Sequence, residues 1–349
     1  MLQHGICGGI LGLMAGAGLF DAIPEIHRDA ARDAVAATFS GPASAMRPLP
    51  GGASGALKYR FEVGERPYVL RIESGRNALR DPDRGYACMR IAADAGIAPP
   101  LLRADAATGV ALMEFIEPQP LGSYPGGPSA LVGDLGRLLA RLQETPQFPT
   151  FAPYPLVAGG LLSYIRDSGL FGAGVLDRHA EEYDRITAGY PWDEAALVSG
   201  HNDMSISNVL FDGERLWLVD WELSFRNDAL SDVAHLSHYV APTAELEREL
   251  LRRWHGDDPD ELVIARFTLM QQLTRLFIGC LVLGVSVGQR TGDTDLNAPT
   301  LAAFRTEIVE TGLRIEATET LYRYGKVFLA AFLRGLDDPS FEHALAVLS

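Results

Sequence analysis

Cysteine is scarce in this chain: three residues in 349, Cys7, Cys88 and Cys280, far apart and odd in number. No CxxC pair or Cys/His cluster occurs, which argues against a disulfide framework or a structural zinc site and favours a reducing, cytoplasmic setting. Basic charge is short as well, with 30 Lys and Arg against 45 Asp and Glu, a net −15. Such a surface disfavours wrapping nucleic acid, because phosphate binding is driven by local cation density. A nucleotide needs only a local basic pocket, and a cationic small molecule would be enriched nearby. Unbroken apolar runs of membrane length are missing too. Residues 262–287 come nearest, but Arg266, Gln271, Gln272 and Arg275 interrupt them, so they read as a buried helix and not a membrane span. The uncharged stretch 5–20 has no Lys or Arg before it and is short and broken by glycine. It reads as a leader without a structural role rather than an export signal, and residues before about Asp21 are expected to be dispensable.

What remains is an ordinary globular composition, 47% hydrophobic and 21% charged, in more chain than one core usually serves. Residues 21–39 carry Pro24 near the start and Ile26, Ala30, Ala34 and Val35 at helical spacing. The period then changes to two around Leu57, Tyr59, Phe61 and Val63, turns at 64–66, and resumes at 68–72: a hairpin. Residues 82–96 return to helical spacing and end at Gly96 before Pro99 and Pro100, and 109–118 form another strand stopped by proline. After a Pro- and Gly-rich stretch, 118–128, the pattern is helical over 130–144, 161–168, 176–188, 244–255, 262–287 and 301–333. This predicts an α+β protein of two lobes: a leader 1–21, a small sheet lobe 22–118, and a larger, mainly helical lobe 119–349.

The exception in the second half is SGHNDMSISNVLFDGERLWLVDWE, residues 199–222, where five acidic side chains sit between apolar strands. Buried carboxylates are expensive unless paired or bound to a cation. The spacing supplies the reason: His201-x-Asp203-x-x-x-x-Asn208, a hairpin turning at 212–213, then Asp220 at the end of the second strand. Asp203 on a tight loop can accept the proton of a hydroxyl nucleophile. Asn208 offers an amide oxygen, and Asp220 a carboxylate, to Mg²⁺ that also holds nucleotide phosphates. His201 is expected to pack and hydrogen-bond rather than react, and His235 and His238 to be satisfied helix residues.

These motifs resemble those of the aminoglycoside phosphotransferase and choline/ethanolamine kinase family, small-molecule relatives of the protein kinases, over about residues 45–240. The resemblance implies a two-lobed kinase-like fold and an enzyme moving the γ-phosphate of ATP, with GTP as an alternative, to a hydroxyl of a small molecule with Mg²⁺. It also implies a nucleotide-covering loop at Gly51, Gly52, Ser54 and Gly55, which is no Walker A loop because no glycine precedes Lys-Ser or Lys-Thr. Arg71 falls where kinases carry the third-strand phosphate-binding Lys, and Met113, Glu114, Phe115 and Ile116 fall at the hinge that pairs with adenine. Asp232 falls where an aspartate anchors the catalytic loop. One departure stands out: the helix that should present a Glu to the strand cation has Gly85 or Tyr86 there and no acid before Asp94. That gap supports an alternative, a nucleotide-binding pseudokinase or regulatory protein without phosphotransfer; the intact Asp203, Asn208 and Asp220 favour the enzyme. For the acceptor, Glu222 with Tyr239 and Trp254 would offer an acid beside aromatic faces, which suits an ammonium and places amino alcohols such as choline or ethanolamine, or an aminoglycoside, ahead of neutral sugars.

Overall fold

A period-two strand pattern leaves one face apolar, and something must cover it. In the computed structural model, which describes residues 18–49, 55–314 and 317–349, that cover is helix α1 (Glu25–Thr38). It lies on a five-stranded antiparallel sheet of β1 (Ala43–Pro48), β2 (Leu57–Val63), β3 (Arg66–Ile72), β4 (Leu101–Asp105) and β5 (Val110–Glu114), in the order β1-β2-β3-β5-β4. Tyr59, Phe61, Leu70, Ile72, Val110 and Leu112 point to α1 and pack with Ile23, Ala31, Ala34 and Val35 in a core of their own. The opposite set, including Lys58, Val69, Arg71 and Met113, lines a cleft. Lys58 and Arg71 are direct cross-strand partners in the β2–β3 register and so share that face.

Helix α2 (Pro82–Asp94) is capped by Asp81, whose side chain accepts from Asp83 N. It packs against both the sheet and the second lobe. There α3 (Gly127–Gln143) pairs with α7 (Ala244–His255), and α8 (Glu261–Leu283) is surrounded by α4 (Tyr154–Asp167), α6 (Ala229–Val240), α10 (Thr318–Leu336) and α11 (Pro339–Leu348), with α5 (Asp177–Gly189) outside. Among the described residues α8 alone is long and apolar enough to cross a membrane, and most of its apolar stretch is buried inside the protein. Two small ribbons, β6 (Val198–Gly200) with β9 (Phe225–Asn227) and β7 (Val209–Phe211) with β8 (Leu216–Leu218), carry the acidic segment.

The structure departs from the sequence expectations in three places. The helix expected over 301–333 is two helices, α9 (Leu301–Thr311) and α10. Gly312 ends the first at φ +66°, a left-handed value that favours glycine. Strands β4, β6 and β9 were unforeseen; the last two span three residues each, too short to show alternation. The packed chain also starts earlier than residue 22, since Phe20 joins the α1 core and Arg32 stacks on its ring. The rest of the expected leader, residues 1–17, lies outside the described residues.

Candidate active site

The acidic segment folds so that the backbone N–H groups of His201, Asn202 and Asp203 each find a side-chain acceptor. Asp232, buried in the first turn of α6, accepts from His201 N and Asn202 N, both at 2.7 Å. Burial raises its pKa to about 6, partly opposed by those two donors. Asn202 takes φ +63° and donates from its side chain to the carbonyls of Gly200, Leu223 and Phe225. His201 is fully buried: Nε2 lies 3.0 Å from the Val219 carbonyl, and Nδ1 accepts from Asp203 N at 3.3 Å. That pattern assigns the neutral Nε2–H tautomer, in keeping with a pKa lowered to about 4 by burial. His201 therefore shapes the loop. His238 is satisfied by Thr274 Oγ1 at 2.9 Å, whereas His235 Nε2 is buried without a hydrogen-bond partner among the described residues, contrary to the sequence expectation.

Asn208 folds back on Asp203, donating from Nδ2 to its carbonyl (2.8 Å) and to its Oδ2 (2.9 Å). Both protons of the amide are thereby engaged by Asp203, which leaves Oδ1 as the end of the side chain able to accept or ligate. Burial, then the charge of Asp220, raises the Asp203 pKa to about 6 against the opposing bond from Asn208. Asp220 itself sits at φ +74°, ψ +67°, at the head of a single 3₁₀ turn, Trp221–Leu223. This left-handed conformation is uncommon for a residue with a side chain and is tolerated best by Asp and Asn. Burial pushes its carboxyl up, but Arg71 and then Lys58 outweigh that and hold it well below the usual range.

Arg71 is the hub. Its Nε donates to Glu73 (2.6 Å), Nη1 to Asp220 (2.8 Å) and Nη2 to Glu222 (2.9 Å), with 3% of the residue exposed. Burial opposes its charge, and Asp220, Glu73 and Glu222 together overcome that opposition. The acid missing from α2 is thus supplied from elsewhere. At Gly85 a Cβ would sit 3.4 Å from the Trp221 carbonyl and 3.5 Å from Glu222 Cα, so this face of α2 lies directly against the turn that carries Glu222. Tyr86 reaches past to donate to the Gly109 carbonyl at 2.6 Å.

Glu222 also receives Arg80 at 3.0 Å, so both its oxygens are spent on arginines. It is not presented to an ammonium as the sequence suggested. Burial and the neighbouring Asp220 push its pKa up to about 7. Trp254 is likewise engaged elsewhere, its Nε1 donating to Gln143 and tying α7 to α3. Tyr239 does stand near Asp203, whose charge helps hold its hydroxyl in the neutral form behind the larger effects of burial and Tyr324. The Tyr324 hydroxyl is 3.1 Å from that of Tyr239, and the Arg305 guanidinium lies 5.0 Å from the Tyr239 ring centre.

The cleft between sheet and helical lobe holds about 500 Å³, within the range of small-ligand sites. Met113, Glu114, Phe115 and Ile116 line it, together with Lys58 and Arg71 from the sheet and Asn208 and Asp220 from the acidic segment. Gly51, Gly52 and Ser54 lie outside the described residues; Gly55 lies within them, just before the strand carrying Lys58. Among the described residues no group of three His, Cys, Asp or Glu side chains could hold a metal. The donors lining this cleft, one carboxylate and one amide oxygen, fit Mg²⁺, which commonly takes one or two protein ligands and fills the rest from substrate and water. Sequence reasoning missed Lys58, Glu73, Arg80 and Asn202. Only Asn202, inside the quoted motif, had a signal that could have marked it.

A small antiparallel sheet over a helical lobe, with an aspartate loop, an asparagine five residues on and a second aspartate after a hairpin, is the arrangement of kinase-like phosphotransferases. Residues 45–265 match the phosphotransferase enzyme family, APH, and the chain belongs to it. No curated protein sequence matches the chain. Similar solved structures include a choline/ethanolamine kinase family protein from Mesorhizobium loti (23% identity, 92% of this chain and 98% of that one, TM-score 0.64). Others are a choline kinase from Cryptosporidium parvum (13%, 87% and 92%, TM-score 0.62) and a spectinomycin phosphotransferase in complex with ADP and spectinomycin (12%, 90% and 96%, TM-score 0.55). At these identities the likeness is one of fold.

Proposed function

We propose that the protein is an ATP- and Mg²⁺-dependent kinase of a small hydroxylated molecule, with the nucleotide held against the lobe of residues 22–118 and the acceptor against that of 119–349. The observation that carries this reading is the orientation of Asn208, whose amide protons are both spent on Asp203, leaving its oxygen as the ligating end in a cleft that Asp220 also lines. ATP with Mg²⁺ would supply a transferable phosphoryl group whose charge is partly neutralised. Asp203, aimed by Asn208 and by the loop that Asp232 anchors, takes the proton of the acceptor hydroxyl. Residues 113–116 receive the adenine. The gap in α2 that favoured a pseudokinase loses weight, because Glu73 and Glu222 supply Arg71 with acids. Buried, unpaired Cys88 and Cys280 are in keeping with a cytoplasmic setting.

For the acceptor, amino alcohols such as choline or ethanolamine and aminoglycosides come first, on the net charge of −15 and on what the similar kinases are named for. The local acid-and-aromatic argument has weakened, because Glu222 is spent on arginines and Arg305 already covers Tyr239. The test is a mass-shift and phosphate-release screen with ATP and GTP against amino alcohols, aminoglycosides, polyols and acidic sugars. ATP-dependent gain of one phosphate on some hydroxylated acceptor supports the reading. A protein that binds neither nucleotide, with or without Mg²⁺, overturns it.

A further inference from the structure

Arg71 holds the position of the phosphate-binding cation, yet its bonding leaves it little freedom. All three guanidinium nitrogens are committed to carboxylates at 2.6–2.9 Å, and the side chain is 4% exposed. Lys58 is different. It is the direct cross-strand partner of Arg71 on the cleft face of the sheet. Its side chain is 23% exposed, and its one ion pair among the described residues is a long 3.4 Å contact to Asp220 Oδ2, the carboxylate that Arg71 already holds through Oδ1. An ammonium carries three donors, so most of the hydrogen-bonding capacity of Lys58 has no partner among the described residues. The chain also uses lysine sparingly: 58 and 326 are its only two, the remaining 28 of 30 basic residues being arginine. Lys326 is engaged by Asp293 at 3.0 Å. The lysine at 58 is the one that faces a cleft.

We propose that Lys58, on the second strand, is the cation that contacts the nucleotide phosphates, and that Arg71 is a positioning residue that fixes Asp220 and Glu222 to the sheet. This rests on the nucleotide reading above and alters the assignment within it. A phosphate entering the cleft meets Lys58 with only a weak contact to exchange, whereas recruiting Arg71 would strip buried carboxylates of their partner, which is strongly unfavourable. Lys also suits the task, as a compact charge on a flexible stem that can follow a phosphate chain.

The experiment compares Lys58→Met, Lys58→Arg and Arg71→Lys with the unaltered protein. Calorimetry measures ATP and adenosine binding, and thermal shift measures stabilisation by inorganic tripolyphosphate. Lys58→Met should weaken ATP roughly 10- to 100-fold, the loss expected for a charge-assisted hydrogen bond, abolish the tripolyphosphate shift, and leave adenosine affinity and the ligand-free Tm unchanged. Lys58→Arg should recover part of the ATP affinity. Arg71→Lys should lower the ligand-free Tm, because a lysine cannot bridge three acids. Lys58→Met that binds ATP or tripolyphosphate within twofold of the unaltered protein overturns the proposal, as does an equal loss of adenosine and ATP. Failure of the unaltered protein to bind ATP while tripolyphosphate still depends on Lys58 would refute the adenine site and leave Lys58 as a phosphate ligand.

Discussion

Asp203→Asn is the sharpest perturbation of the proposed chemistry, and the structure fixes what it should do to three observables. The substitution keeps an oxygen for the Asn208 amide and leaves the Asp232 anchor untouched, so the loop should keep its shape. It removes the proton acceptor, and turnover should fall by about 10²–10⁴, the usual worth of a general base. Mg-nucleotide affinity should stay within about twofold, since the proposed ligands of the metal are Asn208 and Asp220. With a pKa of about 6, raised by burial and then by Asp220, the unaltered enzyme should lose kcat/KM as pH falls below 6. At pH 5 only about a tenth of Asp203 would be ionised. The variant should show no such limb.

Stability supplies the third observable and its sign. The folded pKa lies above the ordinary carboxyl value of 3.8, so the protonated form is the one the fold favours. The associated stability is complete below pH 3.8 and is lost as pH rises through 6. Asn imitates the neutral form at every pH. A rise from 3.8 to about 6 corresponds to at most about 3 kcal/mol. Because the residue as a whole keeps some contact with solvent, a gain of about 1–2 kcal/mol is the reasonable expectation. The variant should therefore melt higher at pH 8 and lose its advantage near pH 4. Turnover within a few-fold of the unaltered enzyme would refute the role of base. A slow variant that also melts lower or loses nucleotide would show that Asp203 acts through structure.

Asp220→Ala should remove the Mg²⁺-dependent part of ATP binding; calorimetry with and without Mg²⁺ that shows the same metal enhancement in variant and unaltered protein would contradict the assignment. Glu222→Gln weakens one charge-assisted bond to Arg71 and one to Arg80, so the KM for ATP should rise about 3- to 10-fold while the KM for the acceptor stays put. A shift confined to the acceptor KM would return Glu222 to the acceptor pocket. Asp232→Ala leaves the N–H groups of His201 and Asn202 buried without acceptors, at about 1–3 kcal/mol each; urea unfolding that shows a loss below about 1 kcal/mol would disprove the anchoring role.

The parts of the molecule that were legible in the sequence are those whose signal is local. The β2–β3 hairpin announced itself by alternation, and the Asp203–Asn208–Asp220 spacing by its fixed offsets along the chain. Asp232 was readable only by family likeness, because nothing in its own neighbourhood says that it reaches back 30 residues to two backbone amides. Glu222 was misread for a related reason. Its sequence neighbours belong to the site, which suggested a face toward the acceptor, but the left-handed turn at Asp220 swings it back under Arg71. Lys58 could not be singled out, since a lysine on a strand is usually a solvated one. Its place beside Arg71 depends on register, and its contact to Asp220 crosses 162 positions.

Two departures from the kinase pattern explain one another once the geometry is known. A helix glutamate can hold a strand lysine with a single contact, but an arginine has three nitrogens to satisfy, and burying them requires several acids. The turn 221–223 lies against Gly85, and beside it the second lobe supplies two of those acids, Asp220 and Glu222, while Glu73 follows directly after β3. A charged link between sheet and helical lobe therefore runs through the turn beside the proposed metal ligand, in addition to the packing of α2. A change that loosens Arg71 should disturb Asp220 directly, whereas a change on the outer face of α2 should not. In this protein one guanidinium ties the sheet to Asp220, the carboxylate proposed to bind the metal.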